Sequence, residues 1–329
     1  MALLSVLAMP PAARADAVAD FYRGKTINML IGIGAGGEYD LMARTIAKHI
    51  VRYIPGNPTS VSQNMTGAGG LKMTNFLFNQ APRDGTYMAV IQSGLPAAQV
   101  MGVPGISFDI AKFGWLGTTQ PAVETLVMWH TTGVKTIEDA TKRPYTIGAS
   151  SRGSNTYAFP ALMNEFFGTK FRIVIGYTGG SQINLAMERG EVDGRVNSWA
   201  SWKSTRPAWI KEKKIVVIAQ DGPRVPDLDA PSIETLAKSP ADRQVIELVL
   251  SGSHFGRPIT TTPGVPPERL AALRTAFNAV MKDKAFLAEM AAKNYDVAPI
   301  AGEELQRTAE KLVATPKALA ERARKILGR

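Results

Sequence analysis

From Asp20 onward, short apolar runs alternate with stretches whose apolar residues recur at helical spacing. Residues 26–33 form a nearly continuous apolar run, the pattern of a strand covered on both faces. Leu41, Ile46, Ile50 and Tyr53 then return at the period of a helix, which predicts a helix over 39–53. Pro55-Gly56-Asn57-Pro58 ends it. A second strand is expected at 60–64, a second helix at 71–80, and a third strand at 87–92 after the turn Asp84-Gly85-Thr86. This alternation implies a parallel sheet with right-handed crossovers.

A similar set follows. Strands are expected at 126–130, 145–148, 172–175, 195–197 and 215–219, with helices at 136–140, 156–167 and 182–189. After the proline-rich stretch 223–231 the pattern is mostly helical, with helices at 266–282, 286–293 and 303–312. No tandem repeat joins the two sets. They share only the order strand, polar loop, helix.

Two of the polar loops are rich in glycine and poised to open helices. The first is Gly32-Ile33-Gly34-Ala35-Gly36-Gly37-Glu38-Tyr39-Asp40, and the second is Gly67-Ala68-Gly69-Gly70. Glycine lets backbone N–H groups approach a ligand, and a helix start favours negative charge. Ala35, Gly36, Gly37, Glu38, Gly67, Ala68, Gly69 and Gly70 are therefore candidate anion-binding residues. Ser151, Arg152, Ser154 and Asn155 in the polar loop 150–155, with Thr178, Gly179 and Asp193, are candidates for the far end of the ligand. Glu38 is an acid beside this cradle. It is expected to serve the helix start and point away from the ligand; the alternative is that it pairs with a cationic group of a zwitterionic ligand.

Composition narrows the function. The chain has 329 residues, 45% of them hydrophobic and 20% charged, enough for about two domains with their own cores. It has no cysteine, so disulfides, thiol nucleophiles and thiolate metal sites are excluded. The formal charge of +10 comes from scattered basic residues without the stripe that nucleic-acid binding requires. Residues 1–15, apolar at first and ending Ala13-Arg14-Ala15, read as an export signal, which places the mature protein in the periplasm.

Chemistry is harder to find. Gly32-x-Gly34-x-x-Gly37 matches the dinucleotide fingerprint, but no acid lies between Val51 and Gly70 to hold a ribose. His49, His130 and His254 have no metal-ligand spacing, so no metal or cofactor is expected. The serines of 150–154 lack the elbow of a hydrolase nucleophile. Asp40 reads as a helix-start acid. The chain therefore reads as a binding protein with no catalytic residues.

The stretches Gly36-Gly37-x-x-Asp40, Gly67-Ala68-Gly69-Gly70, Ala81-Pro82-x-Asp84-Gly85-Thr86, Tyr177-x-Gly179-Gly180, Gly190-Glu191-Val192-Asp193, Pro263-Gly264-Val265-Pro266 and Asp283-x-x-Phe286 run in order along the chain. Together they resemble the Bug family, the TctC-like extracytoplasmic solute receptors of tripartite tricarboxylate transporters. The resemblance implies a type II periplasmic binding-protein fold, two α/β domains flanking a ligand cleft. One domain would hold 20–125 and 253–329, the other 126–252. It also implies a monomer that captures a small carboxylate by domain closure and delivers it to a membrane permease. The alternatives are a periplasmic sensor that presents its ligand to a histidine-kinase ectodomain and, less favoured, a nucleotide-dependent enzyme.

Overall fold

The computed structural model describes residues 11–328. Residues 1–10 of the expected export signal lie outside them, and 11–15 fall in a helix, Pro11–Tyr22. Strands β1 (Thr26–Ile31), β2 (Thr59–Asn64), β3 (Tyr87–Val90) and β4 (Gly114–Thr118) belong to one sheet. Strands β5 (Glu124–Trp129), β6 (Tyr145–Gly148), β7 (Phe171–Val174), β8 (Gly194–Ser198) and β9 (Ile215–Asp221) form a second. The chain then returns to the first sheet with β10 (Ile259–Thr261) and β11 (Ile300–Ala301).

The first sheet has the order β11-β4-β10-β3-β1-β2, and β1 is parallel to both its neighbours. The second has the order β7-β6-β8-β5-β9, in which β6 is parallel to β7 and β8 while β5 is antiparallel to β8 and β9. Two α/β lobes result, each built around one sheet. The apolar run of β1 is explained by burial on both faces. Ile27, Met29 and Ile31 join one core cluster, and Leu30 joins another. Each such side chain contributes about 1.5–3 kcal/mol on burial.

Helices α1 (Glu38–Ile50) and α2 (Leu71–Asn79) follow β1 and β2; α3 (Asn155–Phe167) and α4 (Gly180–Glu188) do the same in the second lobe, and α5 (Trp199–Thr205) follows β8. Helix α6 (Pro240–Leu250) packs on α3 of the second lobe and on the helices Leu95–Val100 and Lys317–Ile326. It leads the chain back to β10, after which α7 (Pro267–Val280) and α8 (Lys284–Ala292) pack against α1.

Two strands of the first sheet carry no periodicity that a sequence reading could use. Strand β4, Gly-Trp-Leu-Gly-Thr, is buried at every position and so shows no alternation. A Cβ at Gly117 would lie 2.2 Å from Phe277, so α7 reaches the sheet only over a glycine. Three-residue β10 shifts register opposite this point.

Helix α1 is tied to α8 by charge. Glu289 accepts bonds from Lys48 (2.8 Å), His49 (2.9 Å) and Lys293 (2.6 Å). These donors hold its carboxyl below the usual carboxylate range. Asp283 accepts from Tyr53, the Phe286 N–H and Arg52, which bring its carboxyl down to about 2. Both carboxyls are depressed in the folded state. Their contribution to stability is therefore complete above about pH 4.5 and lost as pH falls through the folded values. Glu289→Gln combined with Asp283→Asn is expected to lower the melting temperature at pH 6 and to flatten its fall between pH 5 and pH 3. Circular dichroism melts across that range check it; an unchanged acid slope would mean that other carboxylates control it.

Candidate functional site

The lobes meet over a small cavity of about 60 Å³. From the first lobe its wall holds Ile33, Gly36, Gly37, Glu38, Tyr39 and Gln92. From the second it holds Ser150, Asn155, Thr156, the 179–181 turn, and Asn184, Arg195 and Asn197. Glu124 and Arg257, where the chain crosses between sheets, complete the charged set.

Glycine sets how closely the lobes approach. The Gly34 N–H donates to Thr178 O at 2.9 Å, and a Cβ at Gly34 would come 2.9 Å from Thr178 Oγ1. A Cβ at Gly179 would lie 2.7 Å from Ile33. Ser181 Oγ donates to Ala35 O at 2.9 Å. At Gly69, with φ of +64°, a Cβ would lie 2.3 Å from Ser151 Oγ. The loops 32–37 and 67–70 thus press on the opposite lobe.

This changes the roles expected of several candidates. Gly36 and Gly37 line the cavity, but the Gly36 N–H donates to Asp40 at 3.1 Å. Ala35 meets Ser181 instead of the cavity. Gly67, Ala68, Gly69 and Gly70 are outside the cavity wall, and the Gly70 N–H closes their own turn on Gly67 O. Asn155 and Gly179 line the cavity; Thr178 contacts Gly34 beside it. Ser154 Oγ donates to Ser151 O, and Ser151 faces Gly69. Arg152 donates to Tyr157 in a separate groove near the C-terminal end. Asp193 accepts the Thr146 N–H at 2.7 Å and fixes the turn before β8. Asp40 also accepts from Arg44 and Asn64, which fits its helix-start reading.

Glu38 does not point away from the cleft. It is 4% exposed and lines the cavity. Its Oε2 accepts from Arg257 Nε at 2.8 Å and from Ser198 Oγ at 2.5 Å. Arg257 also holds Glu124 at 3.0 Å, and its guanidinium lies 4.5 Å from the Tyr39 ring centre. Burial alone would weaken the hold of Arg257 on its proton. Glu38, Tyr39 and Glu124 outweigh this and drive its pKa well above the ordinary value. The cation that offsets Glu38 belongs to the protein.

Arg195 is a second buried arginine, 4% exposed. Its guanidinium donates to Val196 O, Gly180 O, Asn184 Oδ1 and Asn197 Oδ1. A side chain at Gly180 would occupy its place, since a Cβ there would lie 2.7 Å from Nη1. Among the described residues no carboxylate comes within 4.0 Å of it. Burial therefore pulls its pKa down to about 9 despite the more distant Glu124.

Sequence reasoning missed Arg195, Asn197, Glu124 and Arg257. Arg195 and Asn197 alternate with Gly194, Val196 and Ser198 along β8, a polar alternation directly after the Gly190 to Asp193 stretch, which is the signal that was available. Glu124 and Arg257 are 133 residues apart, and nothing local links them. The tryptophans Trp199, Trp202 and Trp209 pack in the second-lobe core with Trp129 and do not line the cavity. Among the described residues no cluster of His, Asp or Glu could hold a metal, and no helix is long and apolar enough to cross a membrane.

Solved structures with this fold include the periplasmic binding protein BugD, at 19% identity over 92% of this chain and 98% of that chain, with a TM-score of 0.71. Rpa4515 of R. palustris, solved with adipate, matches at 19% identity, 92% and 97% coverage and a TM-score of 0.71. MatC from Rhodopseudomonas palustris, with bound malate, matches at 18% identity, 90% and 99% coverage and a TM-score of 0.69. No protein-family model and no curated protein matches the sequence. The fold is that of the Bug-type periplasmic binding proteins, two α/β lobes about a cleft.

Two substitutions test the site's construction. Glu38→Gln removes one of two carboxylates from the buried Arg257 and is expected to cost about 3 kcal/mol, read by urea unfolding. Gly69→Ala adds a side chain where Ser151 stands, at a left-handed position that itself costs about 1–2 kcal/mol. Small-angle scattering is expected to show more open lobes in this variant. An unchanged radius of gyration would mean that loop 67–70 does not limit closure.

Proposed function

We propose that the protein is a periplasmic solute receptor that captures a small organic anion between its lobes and delivers it to a membrane permease. The observation that carries this reading is the cavity between the lobes, walled by glycine turns from both and holding a buried arginine without an ion-pair partner. The fold neighbours solved with adipate and malate support a carboxylate as the ligand. The signal-like residues 1–15 support export. The protein acts as a monomer and performs no chemistry on its cargo.

Capture follows from differential contacts. An anion that touches both lobes binds the closed arrangement more tightly than the open one and shifts the population toward it. The cavity is the size of a few water molecules. An organic acid therefore enters by parting the lobes, breaking the Gly34–Thr178 and Ser181–Ala35 bonds, and is held as the lobes close over it.

A thermal-shift screen of dicarboxylates, tricarboxylates, aromatic acids and acidic amino acids tests the reading. A ligand at 100 times its dissociation constant is expected to stabilise the protein by about 2.7 kcal/mol, a shift of several degrees. No shift with any organic anion would reject anion capture.

A further inference from the structure

Resting on the reading above, we infer that Arg195 and Asn197 form the donor pair that receives the ligand's carboxylate, on the second lobe and not in the glycine loops of the first. A guanidinium carries five N–H groups. Nε uses its one on Val196 O, and Nη1 uses both, on Gly180 O and Asn184 Oδ1. Nη2 spends one on Asn197 Oδ1 at 3.1 Å, so one N–H of Arg195 is left over.

The Asn197 side chain supplies a second donor. Arginine has no acceptor, so the atom of Asn197 facing it must be the oxygen, and the amide orientation is fixed. Its Nδ2 is then turned to the other side, where it is buried and has no partner, in a residue 8% exposed on the cavity wall. A leftover guanidinium N–H and a leftover amide N–H therefore belong to two directly bonded groups. Both donors belong to residues of the cavity wall, and an anion reaching that wall supplies the acceptor each lacks, the guanidinium N–H giving a charge-assisted bond. The two carboxylates on the wall, Glu38 and Glu124, are both bound to Arg257 instead of Arg195. An incoming carboxylate would supply the counter-charge that Arg195 lacks.

Asn197→Asp tests this with almost no change of shape. The new carboxylate accepts from Arg195 and so leaves the fold as stable or more stable, but it removes the amide donor and occupies the charge of the guanidinium. The probes are butyrate, benzoate, malate and adipate, read by calorimetry and by thermal melts. At least one is expected to bind the natural protein, and Asn197→Asp is expected to lose more than tenfold in affinity for it while its ligand-free melting temperature holds or rises. Asn197→Ala, which removes the donor without adding charge, is expected to lose less, and it serves as the reading variant if Asn197→Asp fails to fold. Natural affinity in a folded Asn197 variant would overturn the donor pair while leaving anion capture intact. Failure of the natural protein to bind any of these four or any other acid of the screen above would overturn both.

Discussion

The structure depends on one buried guanidinium. Arg257 sits where the chain returns from the second sheet to the first, and it grips Glu38 at the start of α1 and Glu124 at the start of β5. Ser198, at the end of β8, adds its hydroxyl to the same Glu38 oxygen. One cation thus joins a first-lobe helix, both crossing segments and the second lobe. Buried charges are costly unless paired and hydrogen-bonded. Arg257 meets that condition only when all these segments are in place, so the pairing is a device for fixing geometry more than a source of stability.

The second buried guanidinium is arranged in the opposite way. Arg195 is held by carbonyl and amide oxygens, which orient it without cancelling its charge. The cavity therefore contains one cation neutralised within the protein and one that is not. Glu38, an acid beside an expected anion cradle, is not a contradiction, because its charge is taken up by Arg257. The negative side chains serve the fold: with Arg257 they form a buried triad of net charge −1, while Arg195 on β8 holds a positive charge with no carboxylate beside it.

Glycine has a purpose that differs from the one its pattern first implies. At Gly34, Gly69 and Gly179 the missing side chain lets a loop of one lobe touch a loop of the other. At Gly180 it makes room for Arg195. These positions set how closely the two lobes approach around the cavity.

The sequence by itself determined the elements whose environment is local. Strand β1 was legible because an apolar run at that length has few alternatives, α1 because its apolar residues repeat at the helical period, and β6 from its bounding turns. The polar loops at the strand ends were visible for the same reason, since glycine, serine and asparagine punctuate a chain through its own backbone. Strands β4 and β10 were not legible: one is buried on both faces around two glycines, and the other is three residues long. Only the tertiary structure decided which polar residues share the cleft. Glu38, Glu124, Ser198 and Arg257 are scattered over more than 200 residues; Glu38 was marked by its glycine loop, but nothing local marks the other three or joins them to it. What a charge does depends on what excludes water from it and what lies opposite, and both are set by the packing of two sheets and not by neighbours in the chain.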